Sequence, residues 1–356
     1  MRENILFLGI GQAGGNICEE FERRSGFNTL CINSSIGDLK TLTYVKHKFH
    51  LTNGQGANHD RDKSKQLILK DYPQILNLID EIDKDNDIKI IFVVFAAPGG
   101  TGSGGGPLVA DLLTEAFPDK TICMITILPS DLEPFKAQYN TLMCFEDIAK
   151  VEKSGAVFIL DNNSMPNKLD INKKFADYFC NFIDIPTHDS SKLKRIDENE
   201  IIEVLSAHNA AIIVNVSYKD GQNTVDSLFE AINKNIYAPY ENDNKIGYLT
   251  LSLADKRIQY EKILSELQVS LGRPIDAYIT NNNRNTNICC ISGISFPKTR
   301  LNEINKKVME NKDVVVSVLN NEIPISNINN DIKSLFKKPK EVKKEKNFSS
   351  ILNKYL

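Results

Sequence analysis

The chain has 356 residues, 41% hydrophobic and 25% charged, the balance of an ordinary globular protein long enough for two domains, and it contains no apolar run long enough to cross a bilayer. A formal net charge of -3 excludes any global attraction to nucleic acid or to an anionic membrane, so such a partner has to be met by a local patch. Its seven cysteines lack C-x-x-C and zinc spacings and read as reduced, packed thiols in a cytoplasm, and the apolar run at the N-terminus is too short for a signal peptide.

The first strand, Ile5 to Leu8, runs into Gly9-Ile10-Gly11-Gln12-Ala13-Gly14-Gly15-Asn16 and then a helix bearing Ile17 and Phe21. Gly9, Gly11 and Gly14 satisfy G-x-G-x-x-G behind a strand, a dinucleotide-binding turn and a weak signal when alone. A second strand, Thr29 to Ile32, ends at Asn33-Ser34-Ser35, and the acidic residue that a ribose would want there comes late, as Asp38. Another glycine loop, Gly54 to Asp62, opens a helix near Lys63.

The apolar run Ile88 to Phe95 reads as a parallel strand buried on both faces. It delivers the chain to Pro98-Gly99-Gly100-Thr101-Gly102-Ser103-Gly104-Gly105-Gly106-Pro107, where six of eight residues from Gly99 are glycine. That composition predicts positive φ, backbone N–H groups turned toward one centre, and a helix beginning at Pro107. Such a loop would cradle phosphates at the positive end of a helix dipole without a lysine. Strand Ile122 to Ile127 then ends in Leu128 to Glu133, and strand Ala156 to Leu160 in Asp161-Asn162-Asn163. Strands alternating with helices, each leaving through a polar or glycine-rich loop, predict an α/β fold whose doubly wound parallel sheet binds its ligand across the strand ends.

Several of these stretches, in this order, resemble the tubulin/FtsZ superfamily. Gly99-Gly100-Thr101-Gly102-Ser103-Gly104 is similar to its G-G-G-T-G-[ST]-G signature, with Pro98 at the first glycine. Gly9-x-Gly11 and Gly14-Gly15-Asn16 resemble the FtsZ loop, Gly11-Gln12-Ala13-Gly14 the tubulin loop, Gly54-x-Gly56-Ala57-Asn58 the FtsZ G-x-G-A-N loop, and Pro129 with Glu133 its proline-to-glutamate loop. The resemblance implies GTP or GDP with Mg²⁺, contacted by Gly11, Gln12, Ala13, Asn16, Asn33, Gly56, Ala57, Asn58, Gly99, Gly100, Thr101, Gly102, Ser103, Glu133, Asn162 and Asn172. Asn172 matches the early asparagine of the central tubulin helix that reads guanine, and an amide does complement guanine's O6 with its N1–H and N2–H. Asparagine is also a common cap or turn residue, so Asn162 and Asn172 have an ordinary structural alternative.

The helix from Asp170 carries Ile171, Phe175, Phe179 and Phe182 on one face and breaks at Asp184-Ile185-Pro186-Thr187. Arg195-Ile196-Asp197-Glu198-Asn199-Glu200 then resembles the acidic loop that the family inserts into the next subunit's nucleotide site. On that resemblance Asp197 and Glu200 are the catalytic pair, orienting a water for in-line attack on the γ-phosphate; the alternative is an acidic first turn favoured by a helix dipole.

Beyond residue 205 the pattern becomes α+β: strand Ala210 to Val216, helices Thr224 to Ile236 and about Lys256 to Leu271, strands Ile275 to Ile279 and Ile288 to Gly293 around a hairpin or short loop, and a last strand Val314 to Leu319. His188 and His208 stand alone and carry no assigned chemistry. The expected division is residues 1–165 for nucleotide binding, 166–205 for the central helix and acidic loop, 206–325 for a smaller second domain, and 326–356 for a basic tail ending in a short amphipathic pattern. The reading that follows is a cytoplasmic, prokaryotic, GTP-hydrolysing protein that assembles head to tail with itself. It resembles the plasmid- and phage-partitioning branch, whose tail meets a DNA-bound adaptor, so DNA would be engaged indirectly. An FtsZ-like division filament, a phage-positioning filament, a non-polymerising nucleotide-binding regulator and an NAD-dependent dehydrogenase are the alternatives.

Overall fold

A computed structural model describes residues 1–188, 194–255, 257 and 259–320. In chain order its elements are β1 (Ile5–Ile10), α1 (Gly11–Arg23), β2 (Asn28–Asn33), α2 (Ile36–Thr41), β3 (His47–His50), α3 (Arg61–Asn86), β4 (Ile90–Ala96), α4 (Thr101–Ala116), β5 (Thr121–Leu128), α5 (Phe135–Ile148) and β6 (Ala156–Asp161). They continue with α6 (Lys168–Ile183), α7 (Ile185–His188), α8 (Glu198–Ser206), β7 (Asn209–Ser217), α9 (Thr224–Asn233), β8 (Tyr248–Leu253), α10 (Tyr260–Leu271), β9 (Asp276–Asn281), β10 (Thr286–Ile294) and α11 (Lys298–Asn320).

Among the described residues the strands form one sheet in the order β3-β2-β1-β4-β5-β6-β7-β10-β8-β9. Every pair from β3 to β7 is parallel, as the apolar strands predict. β10 runs antiparallel to both β7 and β8, and β9 parallel to β8. The sheet therefore crosses the boundary expected near residue 205 without interruption, through Ala156 to Phe158 of β6 against Asn209 to Ala211 of β7. β9 and β10 are consecutive but unpaired, with β8 between them, so the segment around Asn283 is a short loop and not a hairpin.

Packing at the centre of the sheet is aromatic. Phe7 of β1 stacks on Phe21 of α1 at 3.7 Å, and Phe179 of α6 meets Phe7, Phe21 and Phe92 edge-on at 5.5, 5.5 and 5.1 Å. Fully buried rings contribute more than their area when edges meet faces. This cluster fixes the height and rotation of α6 against the sheet, and with it everything that α6 carries.

Two expectations give way. Helix α4 begins at Thr101, so the glycine run is helical, Pro107 lies inside the helix, and none of Gly99 to Gly106 has positive φ. The glycines serve close approach: a Cβ on Gly106 would collide with the Phe95 ring of β4. The carbonyl that Pro107 cannot serve, that of Ser103, accepts instead from Arg61 Nη2 at 3.2 Å. The run Val314 to Leu319 is likewise not a strand but the last part of α11. Its β-branched residues favour extension locally, yet Ile304 and Val308 are buried and carry the helix forward, while Val314 and Val318 stay 63% and 70% exposed with no sheet neighbour to reward a strand. The tail expected at 326–356 and its adaptor-binding role lie outside the described residues.

Candidate functional site

A cleft of about 610 Å³ opens at the carboxyl ends of β1, β2 and β4 and of the loops that follow β5 and β6. It unites Gly11, Gln12, Ala13, Asn33, Gly56, Ala57, Asn58, Gly99, Gly100, Thr101, Gly102, Glu133 and Asn162, all singled out from the sequence. Ser34, Ser35, Asp38, Gln55, His59 and Lys168 complete much of its wall.

One side of the cleft is made from two helix starts. Gly11 and Thr101 are the first residues of α1 and α4, and they come so close that a Cβ on Gly11, whose φ is +78°, would lie 3.1 Å from Gly102 N. First-turn N–H groups have no partner within their helix, and two positive dipole ends converge here, which favours a polyanion. Thr101 Oγ1 is 2.7 Å from Ser34 Oγ, tying this corner to the end of β2.

The opposing glycine loop is pressed against α4. Asn58 and His59 have φ of +48° and +57°, on the order of 1 kcal/mol of strain each. Asn140 of α5, 3% exposed, holds the two loops together: its Nδ2 donates to His59 O at 3.1 Å and to Gly99 O at 2.9 Å. Gly100 sits between them, where a Cβ would be 2.8 Å from His59 N. Below lies Asp147, paired with Arg61 at 2.6 Å and Lys65 at 2.7 Å. Burial pushes its carboxyl up, but the two cations outweigh that and hold it below its ordinary value.

Ser103 does not reach the cleft. It is fully buried, its Oγ accepts from Arg61 Nε at 2.9 Å and donates to Asn140 O at 3.3 Å, and its place is in the support beneath the loop. The cleft also holds a lysine, contrary to expectation. Lys168 Nζ pairs with Glu133 Oε1 at 2.7 Å, and the same oxygen accepts from Asn162 Nδ2 at 3.3 Å and Ser130 N at 3.1 Å. This wall offers a carboxylate and an amide, suited to the donors of a nucleoside more than to phosphate.

Asn16 and Asn172 are outside the residues that line the cleft. Asn172, 6% exposed, follows Lys168 by one turn of α6 and shares its face. Neither side-chain amide has a hydrogen-bond partner among the described residues, and α1 and α6 pack together.

Asp197 and Glu200 are elsewhere altogether. Asp197 caps α8, accepting from Asn199 N at 2.8 Å and Glu200 N at 3.0 Å, while Glu200 Oε2 accepts from Asp197 N at 2.9 Å, a reciprocal capping box. Neighbouring Glu198 pairs with the amino group of Met1, ahead of β1, at 3.1 Å, and Ser206 meets Thr121 at the start of β5. The acidic turn is thus at the amino-terminal ends of the strands, the opposite pole from the cleft. Burial, with Asp197, Asp276 and Glu203 nearby, raises the Glu200 carboxyl above its ordinary value.

Sequence reading missed Lys168, His59, Asn140 and Arg61. Asp38 alone carried a signal, as an acidic residue after β2, and it accepts from Asn33 Nδ2 at 3.2 Å. The others are single residues with no motif of their own.

Comparison with known proteins agrees with this architecture. The tubulin/FtsZ family GTPase domain matches residues 4–170. The tubulin-like protein TubZ of Clostridium botulinum C phage is 29% identical over the whole of both chains, and the tubulin-like protein CetZ of Thermococcus kodakarensis is 31% identical over 45% of this chain and 43% of its own. The crystal structure of Clostridium botulinum phage c-st TubZ superposes with a TM-score of 0.76 at 26% identity, covering 88% of this chain and 99% of that one. A GTPγS-form protofilament of Bacillus thuringiensis serovar israelensis TubZ has the same fold, at a TM-score of 0.75 and 16% identity over 89% and 94% of the two chains. Residues 4–170 are thus a tubulin/FtsZ family GTPase domain, and the chain as a whole is similar to TubZ in sequence and in fold.

Proposed function

We propose that this protein is a GTPase that assembles head to tail into filaments, with hydrolysis completed where one subunit's acidic turn meets the next subunit's cleft. The observation that carries the reading is the polarity of the molecule: the cleft lies at one end of the parallel strands and Asp197 and Glu200 lie at the other. Stacked in one direction, such subunits bring the two halves of a site together at every junction. The two helix starts would hold the phosphates, Glu133 and Asn162 would take the nucleoside, and Asn16 and Asn172 have unengaged amides to offer the base. Glu200 has an acceptor with which to orient a water, and the Asp197 cap fixes its place. No group of three or more His, Cys, Asp or Glu side chains among the described residues could hold a metal. A Mg²⁺ would rest mainly on phosphate oxygens and water, with the side-chain oxygens of Asp38, Thr101 and Gln12 as donors present in the lining; bound there it would neutralise charge on the phosphates.

Carriage of plasmid or phage DNA through an adaptor on the basic tail is the finer part of this proposal, supported by likeness to phage TubZ along the whole chain. Sedimentation with GTP, GDP and a slowly hydrolysed analogue tests assembly: pelleting with GTP is expected, and its absence at every concentration would leave a non-polymerising nucleotide-binding regulator. Glu200→Gln keeps an acceptor for Asp197 N, and so the cap, while removing the charge. It should bind GTP and sediment normally but hydrolyse at least about tenfold more slowly; unchanged turnover removes Glu200 from the chemistry.

A further inference from the structure

We propose that Arg300 is a positioning residue for the nucleoside wall of the cleft, a role that rests on the nucleotide-binding reading above. Arg300 stands in the first turn of α11, far along the chain from any glycine loop, and its side chain is 2% exposed. Its guanidinium donates through Nε to Asp161 Oδ2 at 2.8 Å and through Nη2 to Pro129 O at 2.8 Å, and it pairs with Asp131 at 3.0 Å and Glu303 at 3.4 Å. Lys307, two turns further on, reaches Asp131 at 2.5 Å, and Asp131 N donates to Asn163 Oδ1 at 2.9 Å.

These anchors bracket the two wall residues. Pro129 and Asp131 precede Glu133 in one loop, and Asp161 directly precedes Asn162. One planar cation thus sets the distance between the loop after β5 and the turn after β6. Holding α11 in place does not need it, because Tyr139 and Val308, with Phe135, Leu142 and Met143, already pack that helix onto α5. A buried guanidinium is costly unless its donors are met, which argues for a geometric duty at this position.

The chemistry says which part of the ligand should feel Arg300. An ionised carboxylate only accepts hydrogen bonds, so Glu133 suits ribose hydroxyls and base N–H groups and repels phosphate. The phosphate side of the cleft is set by α1, α4 and Asn140, while the hydrogen bonds and ion pairs of Arg300 all go to Pro129, Asp131, Asp161 and Glu303. Loss of Arg300 should therefore weaken binding of a nucleoside diphosphate and spare inorganic pyrophosphate.

The test uses full-length protein, with GDP titrated calorimetrically and pyrophosphate measured by displacement of GDP. Arg300→Met is expected to weaken GDP about tenfold or more while pyrophosphate stays within about twofold of wild type. Arg300→Lys, which keeps the charge but not the fork, should fall between. Equal GDP affinity in Arg300→Met and wild type, or equal losses for both ligands, would overturn the proposal. Should Arg300→Met fail to fold, Asp131→Asn decides: on a carboxyl 50% exposed it should fold, and it should show a smaller loss confined to GDP. No change in that variant overturns the idea as well. Wild-type protein that binds neither GDP nor GTP would instead sink the nucleotide reading itself.

Discussion

Asp131 connects the rim of the cleft to α11, and its ionisation should be visible in stability. Its hydrogen bond with Lys307, helped by Asn163 and Arg300, holds the carboxyl down at about 2. A carboxyl lowered on folding stabilises the native state above its unfolded value of about 3.9, and that contribution fades as pH falls toward 2. Melting temperatures of wild type and Asp131→Asn should therefore differ at pH 6 and above (roughly two units clear of the transition) and converge as pH drops through that window. A constant gap would mean that the pair contributes nothing through charge. Asn140 makes a contrasting case. Asn140→Ala leaves the His59 and Gly99 carbonyls without their donor, a cost of about 1–3 kcal/mol in stability, and it slackens the phosphate side. Affinity for pyrophosphate should fall along with that for GDP; an unchanged pyrophosphate affinity would show that the clamp is not needed.

At the scale of elements, α6 and α4 answer differently to their sequences. The stripe Ile171, Phe175, Phe179 and Phe182 predicts the buried face of α6, and all four are buried. Amphipathic spacing is a local property, so it survives folding unchanged. Phe179→Ala removes the ring that meets those of Phe7, Phe21, Phe27, Phe92, Phe158 and Phe175 and should cost about 3–5 kcal/mol in urea unfolding; a loss below about 1 kcal/mol would mean that the cluster does not hold α6. The start of α4 was misread because glycine is compatible with both a loop and a tightly packed helix. Only the neighbours of Gly100 and Gly106 distinguish a residue chosen for φ from one chosen for lack of a Cβ. In α11 the β-branched run Val314 to Val316 pointed to a strand, and packing upstream at Ile304 and Val308 overrode it.

For the whole molecule, the distance between the cleft and the acidic turn makes complementation the decisive prediction. Gly100→Val should damage the cleft by pushing on His59 and leave α8 intact, while Glu200→Gln does the reverse. Mixed in equal amounts, the two variants should hydrolyse GTP faster than the sum of either alone, because some junctions then join a sound cleft to a sound Glu200. Turnover that is merely additive would mean that catalysis does not pass between subunits.

The sequence by itself determined the parallel strands, the placing of glycine-rich segments at their carboxyl ends and most of the residues that line the cleft. These rest on short-range patterns: apolar runs for strands buried on both faces, and clustered glycines directly behind them. Tertiary structure alone decided that Ser103 supports the site from beneath, that Lys168 enters it, that Asn140 and Arg300 hold its two sides, and that Asp197 and Glu200 occupy the far pole. Each of those outcomes depends on elements distant in the chain being brought together by packing, and a single Asn, Lys or Arg has no period or spacing from which that neighbour can be read.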